Sequence, residues 1–150
     1  MKTSGFVATG LAMLALAVSV EAAGLEVRDA WARATPPGAG VAAVYLTIVG
    51  GDVADRLVAA KTDRAAMTQV HAVTESDGMA RMREAGGVDV PPRASVTFAP
   101  GGLHLMLMNL VAPLVAGQSF VVTLTFERSG TRDVDVAVLA PDQAPPPARR

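Results

Sequence analysis

This chain predicts an all-β fold, a Greek-key β-sandwich, on three observations. Short runs rich in Val, Leu, Thr and Phe alternate with Gly and Pro punctuation. Few stretches sustain a helical period. The apolar runs also recur at close spacing along a chain of only 150 residues.

Taken in order, residues 1–22 are set apart from the folded part. Lys2 supplies a positive n-region, Phe6 to Val20 forms an apolar run, and the small residues around Ala22 fit a cleavage site. This reads as a secretory signal removed after Ala22. Its uninterrupted apolar stretch, Gly5 to Val20, is shorter than the ~20 residues that span a bilayer. Removing 22 of 150 residues leaves a mature chain of 128 that begins at Ala23. That length suits one domain, expected over 23–140, with a core large enough to need neither disulfides nor structural metal. Residues 141–150, with Pro145-Pro146-Pro147 and Arg149-Arg150, carry too little apolar surface to pack and are expected to be disordered.

Nine strands are expected between these ends. The first, near Leu25–Arg33, stops at Pro36-Pro37-Gly38, read as a rigid turn, and the second, Val41–Val49, stops at Gly50-Gly51. Arg56–Lys61 and Thr68–Thr74 follow. Ser76-Asp77-Gly78 separates the fourth from Met79–Glu84, after which Gly86-Gly87 and Pro91-Pro92 bound a loop. Ala94–Phe98 ends at Pro100-Gly101-Gly102, and Leu103–Leu110 ends at Pro113 to Gly117. Ser119–Glu127 and Arg132–Leu139 flank Ser129-Gly130. Trp31 and Tyr45 read as core or sheet-packing aromatics. Asp52, Asp55 and Asp63 lack the glycine and glutamate spacing of a calcium loop and read as surface charges.

Composition removes several functions. The chain has no cysteine, so thiolate metal sites, redox disulfides, cysteine nucleophiles and a lipidated cysteine are all excluded. Losing Lys2 and Glu21 from 13 basic and 14 acidic residues leaves a mature net charge near −1, with no basic patch for nucleic acid.

What remains is a soft-metal pattern. Both histidines of the chain take part: His71, ten intervening residues, Met82, twenty-one more, then His104, Leu105 and Met106. Two imidazoles and two thioethers suit Cu(I), because polarizable sulfur favours that ion. Strand parity sharpens the pattern, since residues two apart share a face. Leu103, Leu105 and Leu107 then face the core while His104, Met106 and Met108 face away. The Glu75-Ser76-Asp77-Gly78 turn would fold its flanking strands into a hairpin and bring Met82 near His71. Singly, a methionine is more often a gap-filler and a strand histidine a solvated residue. In combination they are not so easily dismissed, because all five mature methionines (67, 79, 82, 106 and 108) lie in the segment that holds both histidines. Met108 is expected to screen the site from outside the ligand shell.

The spacing of His71, Met82, His104 and Met106 resembles that of the periplasmic copper chaperones called PCuAC. So do Ala30-Trp31-Ala32-Arg33-Ala34-Thr35-Pro36-Pro37, Ala43-Val44-Tyr45-Leu46 and Pro100 to Met108. The resemblance implies a cupredoxin-like sandwich holding one Cu(I) per chain on those four residues. It also implies a periplasmic carrier, not an enzyme, that delivers copper toward cytochrome c oxidase. The partners implied are that oxidase's copper-accepting subunit and a thioredoxin-like copper protein. A storage or resistance protein would use the same ligands. A blue-copper redox site would need a cysteine, and a hydrolytic zinc site usually takes three His, Asp or Glu ligands plus water, which two His with two Met fit poorly. Some members of the family hold a second copper on a His- and Met-bearing tail, but the residues after Leu139 include neither.

Overall fold

Alternation of apolar and polar side chains dictates most of the architecture. In Ser119–Phe126 the buried residues are Phe120, Val122, Leu124 and Phe126, and in Gly130–Leu139 they include Val134, Val136 and Val138. Each such strand has one face to bury, and packing those faces together makes the core. The computed structural model describes residues 24–147. The expected signal segment therefore lies outside the described residues, as do the last three residues of the tail.

Among the described residues ten strands form: β1 (Glu26–Arg33), β2 (Val41–Val49), β3 (Asp55–Lys61), β4 (Ala65–Ser76), β5 (Met79–Glu84), β6 (Val88–Val90), β7 (Ser95–Phe98), β8 (His104–Leu110), β9 (Ser119–Phe126) and β10 (Gly130–Leu139). No helix occurs among the described residues, and the all-β expectation holds. All nine expected strands are present, with β4 beginning three residues early. The tenth, β6, has only three residues between the glycine and proline pairs, too few for an alternation to show. Both of its valines are nevertheless buried, and it pairs antiparallel with β3.

The strand order is β5-β4-β8-β2-β1-β10-β9-β3-β6, with β7 also on β2. Chain neighbours are repeatedly separated, as Greek-key connections require. The sheet closes over one core to which β2 gives Val44, Leu46 and Ile48, β8 gives Leu105 and Leu107, β9 gives Val122 and Leu124, and β10 gives Val136. β1 joins the two ends of the chain, pairing antiparallel with β2 and parallel with β10.

Two local features set which face later residues occupy. A bulge in β1 between Arg28 and Trp31, with Asp29 at φ 54, inserts one residue against β2. Before it Leu25 and Val27 pack on the core, and after it Ala30 and Ala32 do. The parity switch turns Trp31 to the opposite face, beside Tyr45 at a ring-centroid distance of 4.6 Å. The second feature is the β4–β5 turn. Ser76 pairs with Met79, and Asp77 (φ 54) and Gly78 (φ 73) form a two-residue type I′ turn, the geometry that Asp-Gly favours.

One expectation is corrected. Asp55 is not a surface charge: it is buried and caps the loop after β9. Its Oδ1 accepts the backbone N–H groups of Arg56 (2.8 Å) and Arg128 (2.9 Å), and its Oδ2 accepts that of Ser129 (2.9 Å). Arg33 also reaches the residues after β10. Arg33 Nη1 donates to the carbonyls of Ala140 (2.9 Å) and Gln143, while its guanidinium lies over the Trp31 ring at 5.0 Å. Composition could not foresee that tether, because backbone carbonyls provide it.

Two predictions follow from this packing. Burial alone would raise the Asp55 pKa, but hydrogen bonds from the Ser129 hydroxyl and from the backbone of Arg128, Arg56 and Ser129 lower it to about 2. A depressed carboxylate stabilises the fold above its unfolded pKa of ~3.9. Its contribution should therefore fade as pH falls from about 4 through 2, and denaturant melts of Asp55→Asn should lack that part of the acid sensitivity. Leu105, fully buried, should cost about 2 to 5 kcal/mol when replaced by Ala. A thermal or urea melt measures it.

Candidate metal centre

Register places each candidate side chain. In the β4–β8 ladder His71 stands opposite His104, Gln69 opposite Met106 and Met67 opposite Met108. Paired residues of a ladder project to the same side, so these six share a face. It is the face away from the core, because Leu105 and Leu107 between them are fully buried on the other. β2 extends the same face with Ala43 opposite Met106. β5 extends it on the other side, with Glu84 opposite His71 and Met82 opposite Val73. Met82 is thus a diagonal neighbour of His71, within reach of a long side chain.

The structure therefore brings His71, His104 and Met106 together as direct and adjacent cross-strand neighbours, and sets Met82 on the same face one step along the hairpin. The imidazole centroids of His71 and His104 are 5.8 Å apart. Burial grades across the group. His104 is 5% exposed, His71 and Met106 are half-buried, and Met82 is 51% exposed. Met108 lies one pair beyond Met106, while Met79 occupies the opposite face of β5.

Hydrogen bonds fix how the imidazoles are presented. His104 Nδ1 lies 3.2 Å from the carbonyl of Gly102, which can only accept, so Nδ1 carries the proton and Nε2 keeps its lone pair. His71 Nε2 lies 3.0 Å from Gln69 Oε1 and donates to it, which leaves the lone pair on Nδ1. That Nδ1 is buried and has no hydrogen-bond partner. An orphaned buried nitrogen is costly unless something occupies it, and a soft cation would. Among the described residues no three His, Cys, Asp or Glu side chains come together, and the thioethers of Met106 and Met82 are the soft donors on the same face.

Sequence reasoning missed Gln69. Its signal was present, since position 69 shares the parity of His71, but a polar residue on an outward face carries no mark of its own. Tyr45 proves closer to the site than its packing role suggested, with its ring 6.5 Å from that of His104 and Trp31 behind it. Burial pushes the Tyr45 phenol up, with Arg33 pulling the other way, so the ring stays neutral beside the histidines.

The chain is similar to several known proteins. A family model described as "Putative lipoprotein LpqE-like" matches residues 25–138. The "Putative lipoprotein Lxx21020" of Leifsonia xyli subsp. xyli (strain CTCB07) is 37% identical over 120 residues, which are 79% of this chain and 71% of that protein. Among solved structures, the "Copper-bound PCuAC domain from PmoF2" superposes with a TM-score of 0.67 at 29% identity, covering 81% of this chain and 97% of that one. The "Solution structure of CuI-DR1885 from Deinococcus Radiodurans" gives 0.62 at 29% identity, covering 86% and 85%. The likeness makes the fold a cupredoxin-like β-sandwich. Two of these names say lipoprotein, yet the 150 residues here include no cysteine to carry a lipid.

The imidazole assignment is directly testable. Long-range ¹H–¹⁵N correlation spectra of the metal-free protein at neutral pH should show the Nδ1–H tautomer for His104 and the Nε2–H tautomer for His71. Gln69→Leu should release His71 into a tautomer mixture and leave His104 unchanged.

Proposed function

Because the chain belongs to the LpqE-like family, we propose that it is an exported copper chaperone that binds one Cu(I) on His71, Met82, His104 and Met106 and passes it on by ligand exchange. The observation that carries this reading is the pairing of His71 with His104, each imidazole fixed by a partner at one nitrogen and left with a lone pair at the other. The adjacent thioether of Met106 supplies the soft donor that selects Cu(I) over Zn(II). The copper-bound state of the PCuAC domain from PmoF2 and the CuI state of DR1885 support the same cargo.

Copper is here the cargo, and the gradient of burial gives its transfer a direction. His104, enclosed and anchored through Gly102, is the ligand least free to leave. Met82, half in solvent on a projecting hairpin, is the freest. Met82 would be displaced first and His104 last, so the ion is never without ligands. All four ligands are neutral, and the loaded site keeps the single positive charge of Cu(I). A thiolate acceptor would therefore gain Coulomb attraction that the thioethers cannot match. No substrate is turned over, in keeping with a carrier instead of an enzyme.

The acceptor in this reading is the copper centre of cytochrome c oxidase, with a thioredoxin-like copper protein as co-worker. The place of action is the periplasm, reached through the signal-like N-terminus. Among the described residues no helix is long and apolar enough to cross a membrane.

Anaerobic titration against a competing Cu(I) chelator should give one tightly bound equivalent, and X-ray absorption should show mixed nitrogen and sulfur scattering. A shell of nitrogen and oxygen alone would sink the assignment. Met106→Leu conserves volume and should cost less than about 1.5 kcal/mol of stability. It should still weaken copper binding, because Leu has no lone pair. Unchanged affinity in that variant would remove Met106 from the shell.

A further inference from the structure

The outward face does not end at the histidines. Along the β4–β8 ladder the pair His71–His104 is followed by Gln69–Met106 and then by Met67–Met108, with Val41 of β2 flanking Met108. Met67 is 49% exposed and Val41 52%. A long apolar side chain half in water contributes little to the core, and Leu105 and Leu107 already supply β8's buried contacts. Three thioethers, on Met67, Met106 and Met108, are thus adjacent on one solvent-facing surface. Directly opposed side chains in such a ladder have Cβ atoms about 4.5–5.5 Å apart, a span that two methionines can close around an ion.

We propose that Met67, Met106 and Met108 form a second, weaker Cu(I) site made only of sulfur, which shares Met106 with the histidine site, the second lone pair of its sulfur bridging to a second ion when both sites are filled, and serves as the hand-off position. This inference rests on the copper-carrier reading and deepens it. The two sites are one step along the strand from each other, about 7 Å for two residues. Met106 can therefore keep hold of the ion while Met82 and the two imidazoles are released and the thioethers of Met67 and Met108 take their place. Copper remains Cu(I) throughout, no proton moves, and the charge of the complex stays at one. With no nitrogen donor, the second site is the weaker one, which lets the ion leave from it. Met79, on the opposite face of β5, belongs to neither site and provides an internal control.

The test uses the mature protein labelled at the methionine methyl carbons, titrated anaerobically with Cu(I) and in parallel with Ag(I), which is soft and redox-inert. Below one equivalent the methyl signals of Met82 and Met106 should move. Between one and two equivalents those of Met67 and Met108 should move, and that of Met79 should stay still. The double variant Met67→Leu, Met108→Leu should lose the second equivalent's affinity by tenfold or more while the first is unchanged. Thermal melts show whether this variant is folded, and the single variants Met67→Leu and Met108→Leu provide the same comparison if it is not. Motionless Met67 and Met108 signals up to three equivalents, or a second equivalent that survives their substitution, would overturn the proposal. Failure of Met82 and Met106 to move in the first equivalent would instead count against the carrier reading itself.

Discussion

The register of β4 against β8 is the constraint on which the rest depends. It places His71 opposite His104, and a slip of one residue would send one imidazole into the core and bring a core residue out in its place. What prevents the slip lies on the other face. Leu105 and Leu107 are wholly enclosed, and Val70 is buried opposite Leu105. The apolar core therefore does more than stabilise the sandwich. It aligns two polar side chains on the opposite face of the ladder, to a tolerance the imidazoles could not enforce themselves.

The same division of labour runs through the neighbouring strands. β2 keeps Val44 and Leu46 inside and presents Ala43 and Tyr45 outside. The small side chain of Ala43 beside Met106 leaves room, while the larger ring of Tyr45 fills the space next to His104. Behind Tyr45 the stack continues through Trp31 to the guanidinium of Arg33, whose other contacts reach the chain beyond β10. One side of the histidine pair is therefore walled by packed rings, and the other opens toward the hairpin that carries Met82.

Much of this was legible in the sequence, for reasons that also explain the gaps. The leucines at 103, 105 and 107 alternate with His104 and Met106, so a period of two displayed both the core face and the candidate ligands. Asp77-Gly78 announced its turn because that turn needs positive φ at both positions, and the turn in turn fixed the relation of Met82 to His71. What remained hidden depended on single residues or on distant backbone. β6 is too short to alternate. The β1 bulge at Asp29 leaves no compositional trace, although it decides which way Trp31 points. Asp55 looked like any surface carboxylate, since two of its partners are N–H groups of a loop more than seventy residues away. Gln69 was invisible as a tautomer-setting partner, because that role exists only once the side chains are in place.

The parallel pairing of β1 with β10 has a consequence for how the molecule is made. The first strand to emerge during synthesis has one of its two neighbours at the far end of the chain, with Trp31 to Arg33 matched to Ala137 to Leu139. Its outer edge must wait until almost every residue has been produced. Such long-range closure is slow relative to local hairpins, so an incomplete chain lacks its final seam and stays pliable. A polypeptide that must be threaded through a translocation pore before it folds benefits from that delay, because the seam that locks the sandwich can close only after its last strand has passed.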